Sequence, residues 1–501
     1  FDRTVERQGL NDVKDQMMNP LKHLTFGGRI YGDNLVAGKT YTGIYTDTDF
    51  KGWSLKSRKP AQEHQIRLAL ATLQCENPAD WETMLNKTIS KVQTDKKAKQ
   101  KTRQWWNSYW KRSYVFIDSG KIGSDYWKVG RNYQLFRYML GCNAYGSEPT
   151  KFNGGLFTFD PVHIDSTRVF TPDFRLWGGG TMTAQNQRLV YFPMLKSGDF
   201  DMMKPQFDFY ERMLDNAKLR TKVYWNHGGA CFSEQIENFG LPNLAEYDWK
   251  PRHEGFPIGV DSNPWLEYTW DTALEFALMM FDAHLYNNEP IVPHLPFIES
   301  LLTFFDEHYS YLALRRGTNK LDGDGHLVLY PGSACETYKM ATNATSTVAA
   351  LKVITEKLLE LPELDATQRE HWSGFLKRIP PISHREVQGK KTISPAKMWE
   401  RINNSEVPSL YPVYPWRIYG IGQPELQTAI NTYLYDPEAI EFRSHIGWKQ
   451  DNIFAACLGL TEEAERLTLL KLSDGPHRFP AFWGPGFDWI PDHNWGGSGM
   501  I

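Results

Sequence analysis

Three stretches of the 501-residue chain carry side chains that could move protons. Glu336 closes Tyr330-Pro331-Gly332-Ser333-Ala334-Cys335-Glu336, an apolar turn in which a carboxyl would be kept protonated and able to donate. Ser333-x-x-Glu336 also matches a capping box, which would make the pair the first turn of a helix. Asp492 precedes a glycine-rich turn, His493-Asn494-Trp495-Gly496-Gly497, with Trp483 and Trp489 shortly before it. It reads as a general base whose glycines let backbone approach a ligand, or as an ordinary helix cap. Asn186 lies in Gly178-Gly179-Gly180-Thr181-Met182-Thr183-Ala184-Gln185-Asn186-Gln187-Arg188, a run of amides opening a helix. Amides are poor helix formers unless they bind something, so Asn186 could orient a water or a carboxylate; a satisfied polar first turn is the plainer reading.

Other chemistries lack their equipment. There is no Gly-x-Ser-x-Gly elbow and no His-Glu-x-x-His helix, and the glycine triplet is not followed by Gly-Lys-Ser/Thr. The five cysteines have no Cys-x-x-Cys spacing, make neither a disulfide framework nor a zinc site, and read as buried free thiols; acid–base hydrolysis by carboxylates would require neither a metal nor an organic cofactor. Two carboxylates and an amide among aromatics are the minimal set for glycoside hydrolysis, one group protonating the leaving oxygen and the other serving water or the anomeric carbon. Eighteen tryptophans supply flat faces on which sugar rings stack. Trp177, Trp483, Trp489, Asn153, Glu234 and Glu275, spread over loops and helix ends, are expected to line the mouth of the site.

The elements that must position these residues change character along the chain. Residues 1–95 read as β, with Ile66, Leu68 and Leu70 alternating with Arg67, Ala69 and Ala71 as though one face were buried. Residues 96–130 read as linker helices, and residues 131–501 as helix after helix with long Gly/Pro/aromatic loops. Leu266–Tyr286 and Ile453–Leu470 are expected helical stretches. Helices joined alternately by short and long loops suggest an α/α toroid whose long loops gather at one end. A net charge of −3 with no basic block argues against nucleic acid, and no apolar run is long enough to span a bilayer. Both ends read as trimmed.

With these residues in place, the chain resembles glycoside hydrolase family 95, the α-L-fucosidase and α-L-galactosidase family. It is still more similar to bacterial proteins of unassigned function with the same plan. Asp492-His-Asn-Trp-Gly-Gly-Ser-Gly is similar to a family stretch whose Asp is the general base, and Tyr330-Pro-Gly-Ser-Ala-Cys-Glu336 to one whose Glu is the general acid. Ala184-Gln-Asn186-Gln-Arg188-Leu-Val-Tyr-Phe-Pro resembles the helix whose two leading Asn assist the base, although Ala184 replaces the first of them. Phe-Asn153-Gly-Gly-Leu-Phe and Trp448 with Asp451 match further family segments. The resemblance implies a mainly α fold, an (α/α)6 barrel with an N-terminal β-sandwich remnant. It also implies an inverting glycosidase acting on an oligo- or polysaccharide, and a periplasmic or secreted location. Glu336, Asp492 and Asn186 would be catalytic. Asn153, Trp177, Arg188, Glu234, Glu275, Trp448, Trp483, Trp489, His493 and Asn494 would bind substrate. Fucose specificity does not carry over, because Glu406-Val-Pro-Ser409 stands where the family has a His-rich run.

Two rivals remain. A polysaccharide lyase on the same toroid would use Tyr338 or His227 as base, with Arg188 neutralising a uronate. A glycan-binding protein would need the tryptophans but neither carboxylate.

Overall fold

The computed structural model describes residues 1–117, 120–143, 146–150, 182–474 and 493–501, the last helix by its backbone alone up to residue 495. The chain divides into two compact units. Among the described residues, the smaller is built on Asn19–Ser113 and the larger on Asp2–Met18 and those from Tyr114 onward.

In the smaller unit β1 (Leu24–Tyr31) pairs antiparallel with β4 (Arg67–Gln74), and β2 (Leu35–Tyr45) with β3 (Thr48–Ser57). The side of β4 expected to be buried is the exposed one: Leu68 and Leu70 are 60% and 69% accessible, while Arg67, Ala69 and Ala71 are half-buried. The cause is the helix Pro78–Thr94, capped by Asn77 accepting from Ala79 N. Its Trp81 donates from Nε1 to Ala71 O at 3.0 Å and lies against Gly27, the register partner of Ala71. A flat ring of that size fits only over small residues, so the helix takes the glycine and alanine face and leaves the leucines outside.

The larger unit is an (α/α)6 barrel, in which inner and outer elements alternate along the described chain. The inner helices Ala184–Ser197, Ala273–Asn287 and Thr345–Glu360 pack side by side in that order. The irregular segment 407–419, buried over most of its length, continues the ring, with Tyr411 6.3 Å from Phe454 of the helix Asp451–Cys457. The final helix, His493–Met500, packs on both Asp451–Cys457 and Ala184–Ser197 and closes it. Outside lie Asp125–Cys142, the pair Lys204–Arg212 and Leu214–Trp225, Leu295–Arg315, Ala366–Arg378, Leu426–Tyr435 and Thr461–Lys471. The ring explains why Ala273–Ala283 is buried on every side, since an inner helix has no solvent face.

Several local expectations change. The helix expected over Leu266–Tyr286 starts only at Ala273. Ile453–Leu470, expected to cover one or two helices, holds two, Asp451–Cys457 and Thr461–Lys471, parted at Gly459 with φ +77°. Gly496 and Gly497 serve packing: a Cβ on them would strike Phe136 and the carbonyl of Leu189, so the last helix needs both glycines to reach its neighbours. Among the thiols only Cys231 and Cys335 are buried, and Cys142 is exposed. The described strand pairs are antiparallel, and no described helix is long and apolar enough to cross a membrane.

Candidate active site

Glu336 does not begin a helix. It sits at the tip of a hairpin, between strands Gly332–Ala334 and Tyr338–Ala341, and the next helix starts at Thr345. Cys335, at φ +53°, makes the turn. Ser333 therefore caps nothing; its Oγ donates to Glu267 O at 2.6 Å, fastening the hairpin to a neighbouring loop. Arg401–Ile402 adds a third strand against Tyr338–Ala341, which brings Asn404 to the hairpin tip. Asn404 Nδ2 donates to Glu336 Oε2 at 2.7 Å.

The tip faces a cavity of about 240 Å³. A water needs only ~10–15 Å³ of such space, so the volume is ligand-sized. Its lining includes Thr183, Gln185 and Asn186 at the start of the helix Ala184–Ser197, with Gln235 from the strand paired to Met182–Thr183. Glu246, Trp249, Asn263, Trp265, Leu266, Asn404 and Trp448 complete it. Three predicted site residues, Glu336, Asn186 and Trp448, thus meet in one cavity.

The carboxyl of Glu336 is pushed up to about 8. Burial is the leading cause and the charge of Glu406 adds to it, while Lys339 and the Asn404 hydrogen bond oppose it. Glu234 is pushed well above the usual carboxylate range by burial, then by Glu336 and Glu406. Neither of its oxygens has a hydrogen-bond partner among the described residues, which suits the neutral form. Glu234 thus stands beside the site electrostatically, without being part of the cavity wall.

Arg188 and Glu275 also stand behind the wall. Arg188 Nη1 bonds Glu275 Oε1 at 2.7 Å, and its Nη2 reaches Tyr411 OH at 2.7 Å and Glu406 Oε1 at 3.4 Å. All four groups are buried, so this cluster ties three inner elements together below the cavity. Glu406 extends its other oxygen to the backbone N of Glu336, at 3.4 Å. Arg188 is thereby committed to protein carboxylates rather than offered to a uronate. Tyr338 packs on Trp399, and His227 pairs with His308 at 3.0 Å among Trp225 and Phe304; neither lines the cavity. The one group of described residues with metal-ligand spacing, Asp322, Asp324 and His326, is also absent from its wall.

Asp492, Asn153, Trp177, Trp483 and Trp489 lie outside the described residues, as do the side chains of His493 and Asn494. Sequence reasoning missed Glu246, Trp249, Asn263, Trp265 and Asn404. The available signal was aromatic residues within a Gly/Pro-rich stretch, Asp248–Tyr268, with too little helix or strand periodicity to bury them.

The fold, an (α/α)6 barrel with an N-terminal β-sandwich, is shared with solved structures. One solved structure with it is described as a "Putative kojibiose phosphorylase from human microbiome". It is similar over 96% of this chain at a TM-score of 0.60 and 11% sequence identity, and this chain spans 63% of that protein's length. Residues 1–115 match a family described as "Domain of unknown function (DUF5703)". No curated protein matches the sequence.

Proposed function

We propose that the chain is a glycoside hydrolase of the inverting type, in which Glu336 protonates the departing glycosidic oxygen. The observation that carries this reading is the state of Glu336: a carboxyl pushed up to about 8, on the wall of a cavity lined by amides and tryptophans. Such a group holds its proton at neutral pH and can give it up to a leaving group. Asn186 is assigned to the attacking water or to the base, and Asp492 to the base itself. Inversion needs about 6.5–9.5 Å between the two carboxyl groups, room for one water.

Phosphorolysis is the competing reaction, favoured by the description of the structural relative. A phosphate acceptor is held by cations or clustered backbone N–H groups. The described lining is chiefly amides, tryptophans and carboxyls, groups that hydrogen-bond water and sugar hydroxyls.

The test is a glycan panel assayed with and without inorganic phosphate, with the anomer of the released sugar followed by NMR. Hydrolysis predicts a free, inverted monosaccharide whether or not phosphate is present. A sugar 1-phosphate formed only with phosphate would replace this reading with a phosphorylase. A product with a new double bond would replace it with a lyase.

A further inference from the structure

The cavity lining is of two kinds. Thr183, Gln185, Asn186 and Gln235 are all buried. Trp249 and Trp265, on the same lining, are 49% and 38% accessible. Exposed tryptophan is costly unless a ligand covers it, because the ring offers a large apolar face to water. These two rings stand 6.2 Å apart at 87°, forming a corner rather than a stack. Backbone hydrogen bonds hold the corner: Lys250 N to Ser262 O and Ser262 N to Tyr247 O, both 2.8 Å, clamp the two tryptophan-bearing segments together.

The same two segments bring a polar pair to the lining. Asn263 Nδ2 donates to Glu246 Oε2 at 2.8 Å, and Asn263 Oδ1 accepts from Trp265 N at 2.9 Å. Glu246 keeps a second oxygen and Asn263 a second N–H, an acceptor and a donor side by side. A pyranose presents that complement, with C–H faces for the rings and adjacent hydroxyls for the acceptor and donor. The described lining carries two carboxylates, Glu246 and Glu336, and no cation. With Glu336 holding its proton, an anionic sugar would still meet Glu246 with no cation in the described lining to offset it.

We propose that the Trp249–Trp265 corner, with Glu246 and Asn263, is the subsite for an uncharged sugar ring on the leaving side of the scissile bond. In that arrangement Glu336 meets the bond, one sugar lies toward the buried amides, and the part that departs lies over the tryptophans. This assignment rests on the hydrolase reading for the words "leaving side" but not for the binding itself.

Binding is measured by saturation-transfer NMR on the Glu336→Gln chain, which cannot consume its ligand. The probes are neutral disaccharides of glucose and galactose, with digalacturonic acid as the anionic comparison. At least one neutral disaccharide should bind with strong transfer to its reducing-end ring. Added Trp249→Ala or Trp265→Ala should weaken that binding roughly tenfold or more, as expected for aromatic anchors, and digalacturonic acid should bind more weakly than the neutral probes. Preferred binding of digalacturonic acid, no binding by any neutral disaccharide, or neutral binding indifferent to both tryptophans would each overturn the subsite. Monosaccharide release by the unsubstituted chain reads the hydrolase assignment separately. Tryptophan-dependent binding without release would keep the sugar site and remove only the leaving-side assignment; release insensitive to both tryptophans would keep the hydrolase reading and overturn the subsite.

Discussion

Lys339 Nζ lies 2.6 Å from the carbonyl oxygen of Trp265, joining the hairpin that carries Glu336 to the loop that forms the tryptophan corner. The same ammonium donates to Ser333 Oγ at 3.0 Å, Thr269 Oγ1 at 3.1 Å and Cys335 O at 3.3 Å. It is buried, and burial pulls its proton affinity down to about 8 against the upward pull of Glu336 and Glu234. One side chain therefore sets the distance between the candidate acid and the candidate sugar platform.

Lys339→Met should loosen that joint. The substitution keeps an unbranched stem but leaves buried acceptors without a donor, at about 1–3 kcal/mol each where no water replaces it. Thermal unfolding should shift down by several degrees. Because the Lys339 charge lowers Glu336, the alkaline limb of activity should move up in pH at the same time. A lower melting temperature with an unmoved limb would make Lys339 a packing residue only.

Arg188→Met should be worse for stability than for sugar recognition. It strands Glu275 and Glu406, both buried, without their shared cation. Breaking a buried ion pair from one side costs about 3–5 kcal/mol, readable as a fall in the urea midpoint. The triple change Arg188→Met, Glu275→Gln, Glu406→Gln should recover much of it, since neutral partners need no counter-charge. No recovery would show that the guanidinium also packs irreplaceably.

How much of this could be read from the chain alone depends on range. The Glu336 turn was legible because Pro331, Gly332 and Cys335 lie beside it, but its hairpin was not: the strand that holds it, Arg401–Ile402, is over sixty residues away. The alternation of Leu68 and Leu70 with Ala69 correctly marked a strand and misled about its faces, because Trp81 had yet to choose the small side. Arg188 reads as a ligand for acidic sugars until Glu275 arrives from another inner helix and Glu406 from the loop leading into segment 407–419. The helices were easier, since their apolar spacing is local. Even there the inner segment 407–419 has no helical period and gains its place in the ring only by burial among its neighbours.

The remaining prediction concerns pH and uses two neighbours that act on Glu336 in opposite directions. A general acid works while protonated, so activity should fall as pH rises through the Glu336 value of about 8. The Asn404 hydrogen bond favours the ionised carboxylate and lowers that value, whereas the charge of Glu406 raises it. Asn404→Ala should therefore move the alkaline limb to higher pH, and Glu406→Gln should move it to lower pH. Each shift of one pH unit corresponds to about 1.4 kcal/mol between the two protonation states. Glu336→Gln should abolish the limb along with most turnover of natural glycosides, a loss of about 10²–10⁴-fold. It should spare glycosyl fluorides, whose leaving group needs no proton. The profiles are measured as kcat/KM against pH on one neutral substrate for all four chains. Limbs that move together, or a limb that persists in Glu336→Gln, would assign the titration to another group and take the acid role from Glu336.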